Sequence, residues 1–209
     1  MFTPEPAAMP LPRAGALLDG PSPLRPGEVP TEGLTLTELV PPAAVNLRGD
    51  PADPRFARKV GAALGCVLPT APNSVQTAAE VTVLWLGPDE WLVLAEPGRE
   101  AALVDELVAA MDGVPASVVD VSGNRARLRL AGPGAREVLA KGCPLDLHPR
   151  AMKPGDCAQT VLARTAVILH QVDDRPCYDL YPRRSFAPYL AAWLRDAMGR
   201  GLPRTGAPS

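Results

Sequence analysis

The chain has 209 residues, of which 46% are hydrophobic, and its formal net charge is −2. This length allows one sizeable hydrophobic core or two tightly coupled subdomains. Acidic and basic residues are mixed along the chain and the pI is about 5.7, which argues against nucleic acid or an anionic membrane as the main partner. No apolar stretch approaches the roughly 18 residues of a membrane span, and the start MFTPEPAAMP lacks the basic and apolar regions of a secretory signal. We therefore expect a folded cytoplasmic protein.

The two ends of the chain differ in composition from the middle. Residues 1–30 hold eight of the 26 prolines and almost no periodic apolar pattern, so this part cannot offset its ordering entropy by burial. The sequence predicts a flexible or extended Pro-rich arm over residues 1–32, suited to lying along a groove of a partner. A folded domain is expected over residues 33–200, with a subdomain boundary near residue 115, followed by a tail over 201–209.

Two short strands and a helix are predicted at the start of the domain. Alternating apolar residues indicate strands around residues 34–40 and 45–47, separated by a Pro-Pro pair. Asp53 followed by Pro54 is typical of a helix N-cap and first helical position, and the glycine at position 65 marks the helix end. The local order is therefore strand, strand, helix.

A hairpin and a second helix follow. Val81–Leu86 and Trp91–Ala95 flank the sequence Gly-Pro-Asp-Glu, in which Pro followed by Asp is typical of a type I turn. Further on, apolar residues recur on one helical face while acidic residues lie elsewhere. The apolar residues of that face are Leu103, Val104, Leu107, Val108 and Met111. We therefore expect an amphipathic surface helix packed on a sheet.

A second hairpin is predicted in the middle of the chain. Ala116–Val121 and Arg125–Leu130 have strand patterns, and the Gly-Asn between them is a known hairpin signal. Alternation on the second strand places three arginines on the face opposite the apolar one. These are Arg125, Arg127 and Arg129. A row of guanidinium groups can bind carboxylates or phosphates of a ligand or partner, and the alternative is an ordinary solvated face.

The sequence GPGARE after this strand nearly matches the G-x-G-x-x-G signature of dinucleotide-binding sites. Glu137 takes the place of the third glycine, where a carboxylate would repel a pyrophosphate. The segments that follow indicate an antiparallel meander, whereas such a site needs a strand-helix-strand crossover. Nucleotide binding is therefore not expected here; Pro133 is predicted as the first helical residue and Gly142 as the helix stop.

Three strands and a long helix complete the domain. Cys157–Arg164, Ala166–Gln171 and Cys177–Tyr181 have strand patterns, and their short connections imply antiparallel pairing. Apolar residues at helical spacing over Phe186–Met198 predict a helix that buries this face, with Ser185 as its N-cap. The predicted fold class is α+β, with antiparallel sheets and helices packed on them. No internal repeat is visible in the residues.

The cysteines do not form a recognisable metal or redox pattern. They are Cys66, Cys143, Cys157 and Cys177. None has a partner at the short spacing of a zinc or dithiol site. Buried free thiols in a reducing compartment are therefore expected in preference to a zinc site built from Cys143, His148 and Cys157.

An independent active site is not predicted either. The chain contains no P-loop, no G-x-S-x-G motif and no H-E-x-x-H motif. His170 lies in the middle of a predicted strand, as core or edge histidines do. Asp120 ends a strand, and the pair Asp173-Asp174 lies in a turn, both ordinary places for aspartate.

Three passages resemble the gamma subunit family of bacterial heterotetrameric sarcosine oxidase. They are WLGPDEWLVL at Trp85–Leu94, VDVSGNRARLRLAGPGAREVLAKGCPLDLHP at Val119–Pro149, and YPRRSFAPYLAAWL at Tyr181–Leu194. The resemblance extends over residues 35–198, and aminomethyltransferase-like and TrmE-like domains share a weaker form of the middle pattern. It implies an aminomethyltransferase-like fold built of two coupled ferredoxin-like subdomains.

The resemblance also implies a role in a four-chain flavoenzyme that oxidatively demethylates sarcosine to glycine, with hydrogen peroxide and 5,10-methylenetetrahydrofolate formed. It implies that FAD, FMN, NAD, tetrahydrofolate and zinc are held by the partner subunits. No catalytic, cofactor-binding or metal-binding residue is carried over to this chain. The expected partners are the alpha, beta and delta subunits, chiefly alpha, and the candidates for partner contact are Arg125, Arg127 and Arg129.

Two other functions fit the same resemblance. One is a free-standing folate-dependent aminomethyl or formyl transferase domain, which titration of the purified chain with tetrahydrofolate would distinguish from a structural subunit. The other is the same subunit role in a complex that acts on another N-methyl amine. Because substrate choice would lie in the partner chains, this sequence does not decide it.

Overall fold

The computed structural model describes residues 33–199, so the predicted N-terminal arm and C-terminal tail lie outside the described residues. The strands are β1 (Thr35–Leu39), β2 (Ala43–Gly49), β3 (Val75–Thr77), β4 (Val81–Gly87), β5 (Glu90–Ala95), β6 (Ala116–Asp120), β7 (Arg127–Ala131), β8 (Cys157–Leu162), β9 (Thr165–Asp173) and β10 (Cys177–Pro182). The helices are α1 (Pro54–Leu64), α2 (Glu100–Ala110), α3 (Ala135–Ala140) and α4 (Ala187–Gly199), and a 3₁₀ turn, Arg184–Phe186, precedes α4.

The strands form two five-stranded sheets in the orders β3-β4-β5-β2-β6 and β1-β7-β10-β9-β8. All neighbouring strands are antiparallel. We call the two sheets the first and the second. The α+β class with antiparallel sheets is therefore confirmed. The short edge strand β3 has no counterpart among the predicted elements.

The two sheets repeat the same architecture. In the first, β2-α1-β3-β4-β5-α2-β6 gives the spatial order β6-β2-β5-β4-β3; in the second, β7-α3-β8-β9-β10-α4 plus β1 gives β1-β7-β10-β9-β8. Each is a ferredoxin-like β-α-β-β-α-β unit with one extra edge strand. Strand β1, although first in the chain, takes the last place in the second unit. The repeat was not visible in the sequence because such a unit requires only a pattern of apolar and polar residues, which two segments can share without having the same residues.

The junction between the units is also symmetric in its backbone. The residue before β3 pairs with the residue before β8, Ser74 with Asp156. The N–H of Val75 donates to the carbonyl of Gly155 at 2.8 Å, and the N–H of Cys157 donates to the carbonyl of Asn73 at 2.7 Å. These reciprocal bonds join the extra strands of the two units.

Three apolar clusters hold the molecule together. Helices α1 and α2 cover one face of the first sheet around Phe56 and Trp91, and α3 and α4 cover one face of the second around Leu128 and Leu194. A smaller cluster lies between the sheets. It contains Ala44, Leu84, Leu92, Leu94, Cys157, Ile168 and Tyr181. The uncovered faces of the two sheets therefore pack on each other.

The hairpin predicted around Gly123-Asn124 is wrong. Strand β6 pairs with β2 in the first sheet, whereas β7 pairs with β1 and β10 in the second. We call the turn between β6 and β7, around Gly123-Asn124, the link. Ser122, which is 3% exposed, holds the link in place. Its Oγ accepts a hydrogen bond from the N–H of Ala44 at 2.8 Å, and its own N–H donates to Asp120 Oδ1 at 2.9 Å. The turn residues carry the chain from one sheet to the other.

Replacing Ser122 by alanine is expected to lower the free energy of unfolding by about 1–3 kcal/mol, because the buried N–H of Ala44 loses its acceptor. Chemical denaturation of the purified chain measures this change. Ser117→Ala, an exposed position on the preceding strand β6, is the matched control and should stay within about 0.5 kcal/mol of the wild type. Equal stability of the two variants would contradict the role given to Ser122.

Several local predictions need a shift of position. Helix α3 begins at Ala135 with Gly134 as N-cap, so Pro133 lies before the helix and is not its first residue. Gly132 precedes this proline with a φ of +124°, and a Cβ there would lie 2.0 Å from the carbonyl oxygen of Gly33, so this position requires glycine. Gly142 does follow the helix, but a Cβ there would meet the Trp193 ring at 2.7 Å, so close packing requires this glycine.

The predicted start and buried face of the last helix are also corrected. Ser185 lies inside the 3₁₀ turn, so it is not the N-cap, and α4 begins at Ala187. The face that α4 buries consists of Ala187, Leu190, Ala191, Leu194, Ala197 and Met198. Phe186 and Tyr189, which the periodicity placed in the core, are 49% and 42% exposed.

Other local predictions are confirmed. Helix α1 has Asp53 as N-cap and Pro54 in its first turn, and Gly65 closes it in a left-handed conformation with φ 66°. Strands β4 and β5 form the predicted hairpin. Within residues 33–199, no helix is long and apolar enough to cross a bilayer.

Candidate functional site

The arginine row predicted from the sequence divides into two parts. Arg127 and Arg129 lie on β7 and both bind Asp179 of the neighbouring strand β10. Arg127 donates to Asp179 Oδ2 through Nε at 3.0 Å and Nη2 at 2.7 Å. Arg129 donates through Nε to Oδ1 at 2.6 Å and through Nη2 to Oδ2 at 2.9 Å. Two of the three guanidinium groups therefore hold an internal carboxylate.

Asp179 is the centre of this cluster and is 1% exposed. Burial by itself would raise the pKa of its carboxyl group, but the hydrogen bonds and charges of Arg129 and Arg127 outweigh burial and lower that pKa below its ordinary value. The Tyr181 hydroxyl lies 3.4 Å from Asp179 Oδ2, and burial raises the pKa of this phenol. Asp179 is therefore ionised and Tyr181 neutral at neutral pH.

Arg125 has a different environment. It lies just before β7, and its Nη1 donates to the backbone carbonyl of Tyr181 at 2.9 Å. Its backbone faces that of Arg183 in an isolated antiparallel bridge. Burial, together with the positive charge of Arg183, lowers the pKa of Arg125. This arginine therefore belongs to a second basic region, at the end of the sheet near α4.

A cavity of about 430 Å³ lies between the two sheets beside the Asp179 cluster. One wall carries Arg127, His170, Asp179 and Tyr181, and the other comes from β4, β5 and the turn that leads into β4. His170 is 8% exposed, and its Nδ1 is buried without a hydrogen-bond partner among the described residues. Burial lowers the pKa of His170 to about 4; the charge of Asp179 opposes this shift, and the charges of Arg127 and Arg129 add to it.

The chemistry of this cavity is that of a polar hollow. At neutral pH the wall formed by the second unit presents one neutral imidazole, one neutral phenol and a carboxylate already bound by two guanidinium groups, and the opposite wall adds Glu80 and Glu96. A general acid or base works best with a pKa near the operating pH, and the shifts at His170, Asp179 and Tyr181 all move away from neutrality. The cluster therefore suits positioning and charge compensation better than proton transfer.

The two units differ in the residues they place on the face where the two sheets pack against each other. In the first unit the equivalent strands β2 and β5 present Ala44, Leu92 and Leu94 to the junction, all buried and apolar. In the second unit β7 and β10 present the Asp179 cluster instead. Asp179 was missed by sequence reasoning. The available signal was an aspartate alternating with apolar residues inside the strand CYDLYP.

The other side chains considered from the sequence stay apart or serve local roles. All four cysteines are free thiols, and burial raises the pKa of Cys157 to about 12. Over residues 33–199, no three His, Cys, Asp or Glu side chains lie together as a metal would require. Asp120 binds the N–H of Ser122, and Asp173 binds Arg175. The structure thus does not bring Cys143, His148 and Cys157 together.

Sequence comparison finds close relatives of the whole domain. The model of the family described as "Sarcosine oxidase, gamma subunit family" matches residues 48–200. The chain is 43% identical over 166 residues to a sarcosine oxidase subunit gamma from an Arthrobacter species, covering 79% of this chain and 80% of that protein. A sarcosine oxidase subunit gamma from Corynebacterium sp. strain P-1 is 43% identical over 164 residues, covering 78% and 79%.

Structure comparison agrees. A chain of the heterotetrameric sarcosine oxidase from Corynebacterium sp. U-96, solved with pyrrole 2-carboxylate, is similar with a TM-score of 0.73 and 38% identity, over 79% of this chain and 83% of that chain. The aminomethyltransferase T of the glycine cleavage system from Bartonella henselae is similar with a TM-score of 0.58 and 17% identity, over 78% of this chain and 45% of that one. The second similarity concerns the fold alone.

Proposed function

The chain belongs to the sarcosine oxidase gamma subunit family, and we propose that it is the structural, non-catalytic gamma subunit of a heterotetrameric sarcosine oxidase. The observation that carries this proposal is the 43% identity to a sarcosine oxidase subunit gamma over 79% of the chain. The internal ion pairs of Asp179 support the non-catalytic part, since they engage the charged groups that a substrate would otherwise meet.

The reaction we propose for the whole complex converts sarcosine, dioxygen and tetrahydrofolate to glycine, hydrogen peroxide and 5,10-methylenetetrahydrofolate. The methyl carbon is oxidised as dioxygen is reduced, and tetrahydrofolate accepts this carbon. We assign FAD, FMN, NAD, tetrahydrofolate and zinc to the partner subunits. The family resemblance of the sequence supports this assignment.

The partners we propose are the alpha, beta and delta subunits, with the main contact to alpha. Of the three arginines predicted to meet a partner, we retain Arg125 for that role, because Arg127 and Arg129 are engaged with Asp179. We also infer that the complex lies in the cytoplasm. Four unpaired cysteine thiols support a reducing compartment.

The test is to produce the complex with and without this chain. Without it, we expect the remaining subunits to lose assembly, flavin content and sarcosine turnover together, because a permanent interface buries a large apolar surface that would be left open. Size-exclusion chromatography, flavin absorbance and peroxide formation measure the three quantities, and supplying the chain again should restore them. Full assembly, flavin content and turnover in its absence would refute the structural role.

A further inference from the structure

A shallow hollow of about 600 Å³ lies where the link between the two sheets meets the start of α4. The link contributes Gly123 and Asn124 to its lining, and the segment that leads into α4 contributes Arg183, Arg184, Ser185, Phe186 and Pro188. We call this surface the Arg-Phe hollow and define it by Asn124, Arg183, Arg184, Phe186 and Pro188. It lies apart from the cavity beside Asp179.

The charges around the Arg-Phe hollow are unbalanced. Arg183 lies opposite Arg125 in the isolated bridge, and like charges directly across a strand pair repel each other. Arg183 Nη1 donates to the neutral amide oxygen of Asn124. No carboxylate lines the hollow among the described residues. Glu90, outside the hollow, offsets part of the positive charge of Arg125, so the excess of positive charge is greatest at Arg183.

The apolar part of the hollow is equally unusual. Phe186, in the 3₁₀ turn before α4, is 49% exposed, whereas α4 itself buries Leu190, Leu194 and Met198. Aromatic and arginine side chains together are the groups that most often dominate binding at protein interfaces. A half-exposed phenylalanine next to Arg183 therefore has the composition of an interface, with the sign of its charge set by the arginine.

We propose that the Arg-Phe hollow is a docking site for an acidic segment of a partner subunit of the same complex, with a carboxylate at Arg183 and an apolar side chain against Phe186. This inference rests on the proposed function and adds the site and chemistry of one subunit contact. Charge complementarity selects the occupant, because a carboxylate at Arg183 would relieve the repulsion between Arg183 and Arg125.

The test uses the complete complex, purified through an affinity tag on this chain. Arg183→Glu and Phe186→Ser are each expected to reduce recovery of the other subunits by about tenfold or more, since truncation of interface anchors has effects of this size. Arg183→Lys should retain assembly. Asn124→Ala removes the hydrogen bond between Arg183 and Asn124 but keeps the charge of Arg183, so this variant should also assemble. Arg58→Glu and Val67→Ser are matched controls at exposed positions elsewhere.

The thermal midpoint of unfolding of each variant chain establishes that the variant is folded. We expect all of them to fold, because the changed side chains are exposed. Normal assembly of both Arg183→Glu and Phe186→Ser would overturn the inference. Loss of assembly in Phe186→Ser alone would indicate an uncharged apolar partner and overturn the acidic occupant. If the isolated chain forms a dimer that Phe186→Ser dissociates, the occupant is a second copy of this chain, which would also overturn the inference. The proposed function fails on a different result, full assembly without this chain.

Discussion

Replacing Asp179 by alanine is expected to lower the free energy of unfolding by about 3–5 kcal/mol, the cost of removing one partner from a buried ion pair. Asp179 is 1% exposed and accepts hydrogen bonds from both Arg127 and Arg129. Their side chains are 28% and 32% exposed, so water from the cavity will solvate them in part. We therefore expect a value near 3 kcal/mol, measured by chemical denaturation of the purified chain.

Two further variants make this prediction specific. Asp179→Asn keeps the shape of the side chain and one acceptor oxygen but loses the charge, so its loss of stability should be intermediate. Asp89→Ala removes an exposed pair with Arg48, whose partners are 57% and 51% exposed, and should cost less than about 1 kcal/mol. If Asp179→Ala destabilises no more than Asp89→Ala, the ion-pair cluster is not a main support of the second sheet.

His170 is expected to make the chain less stable as the pH falls from about 6.5 to 4. Its pKa is about 4 in the folded chain and 6.5 ordinarily, with burial as the main cause. Between these values the unfolded chain binds a proton that the folded chain does not, so lowering the pH favours unfolding. Above pH 6.5 the imidazole is neutral in both states and the effect vanishes. The full loss is about 3 kcal/mol at 1.36 kcal/mol per pKa unit.

The measurement is the free energy of unfolding at several pH values between 7 and 4. His170→Gln should flatten this dependence relative to the wild type, because glutamine does not titrate. His148→Gln, the same substitution at an exposed position, is the control. The comparison concerns slopes, so a constant change of stability in His170→Gln does not affect it. Identical slopes for all three proteins would show that His170 is not buried neutral.

Much of the local structure follows from the residues alone. Asp53 and Pro54 start α1 and Gly65 ends it, because caps and turn residues act through bonds to their immediate neighbours. The hairpin of β4 and β5 follows from its Pro-Asp turn in the same way. The alternation on β7 correctly separated the arginines from the buried Leu128 and Leu130. The gamma subunit family was likewise evident from three passages of sequence.

The candidate sites depended on contacts that no local pattern contains. The alternation that placed Arg127 and Arg129 together did not predict Asp179, because that residue lies 52 and 50 positions further along the chain. Helical periodicity correctly predicted that Leu190, Leu194, Ala197 and Met198 are buried, but it also placed Phe186 and Tyr189 in the core. The chain enters α4 through a 3₁₀ turn, and these two side chains remain about half exposed. The arginines therefore divide between an internal ion pair and a surface that the sequence did not single out.

The sequence by itself determined the family of the chain, the buried face of β7 and the class of every segment except the short strand β3. Only the tertiary structure decided which strands are neighbours: β6 and β7, adjacent in sequence around a hairpin-like Gly-Asn, belong to different sheets, and β1 completes a unit whose other strands begin at Arg127. The physical reason is that alternation specifies which side of a strand is buried, whereas its partner is chosen by packing over the whole molecule.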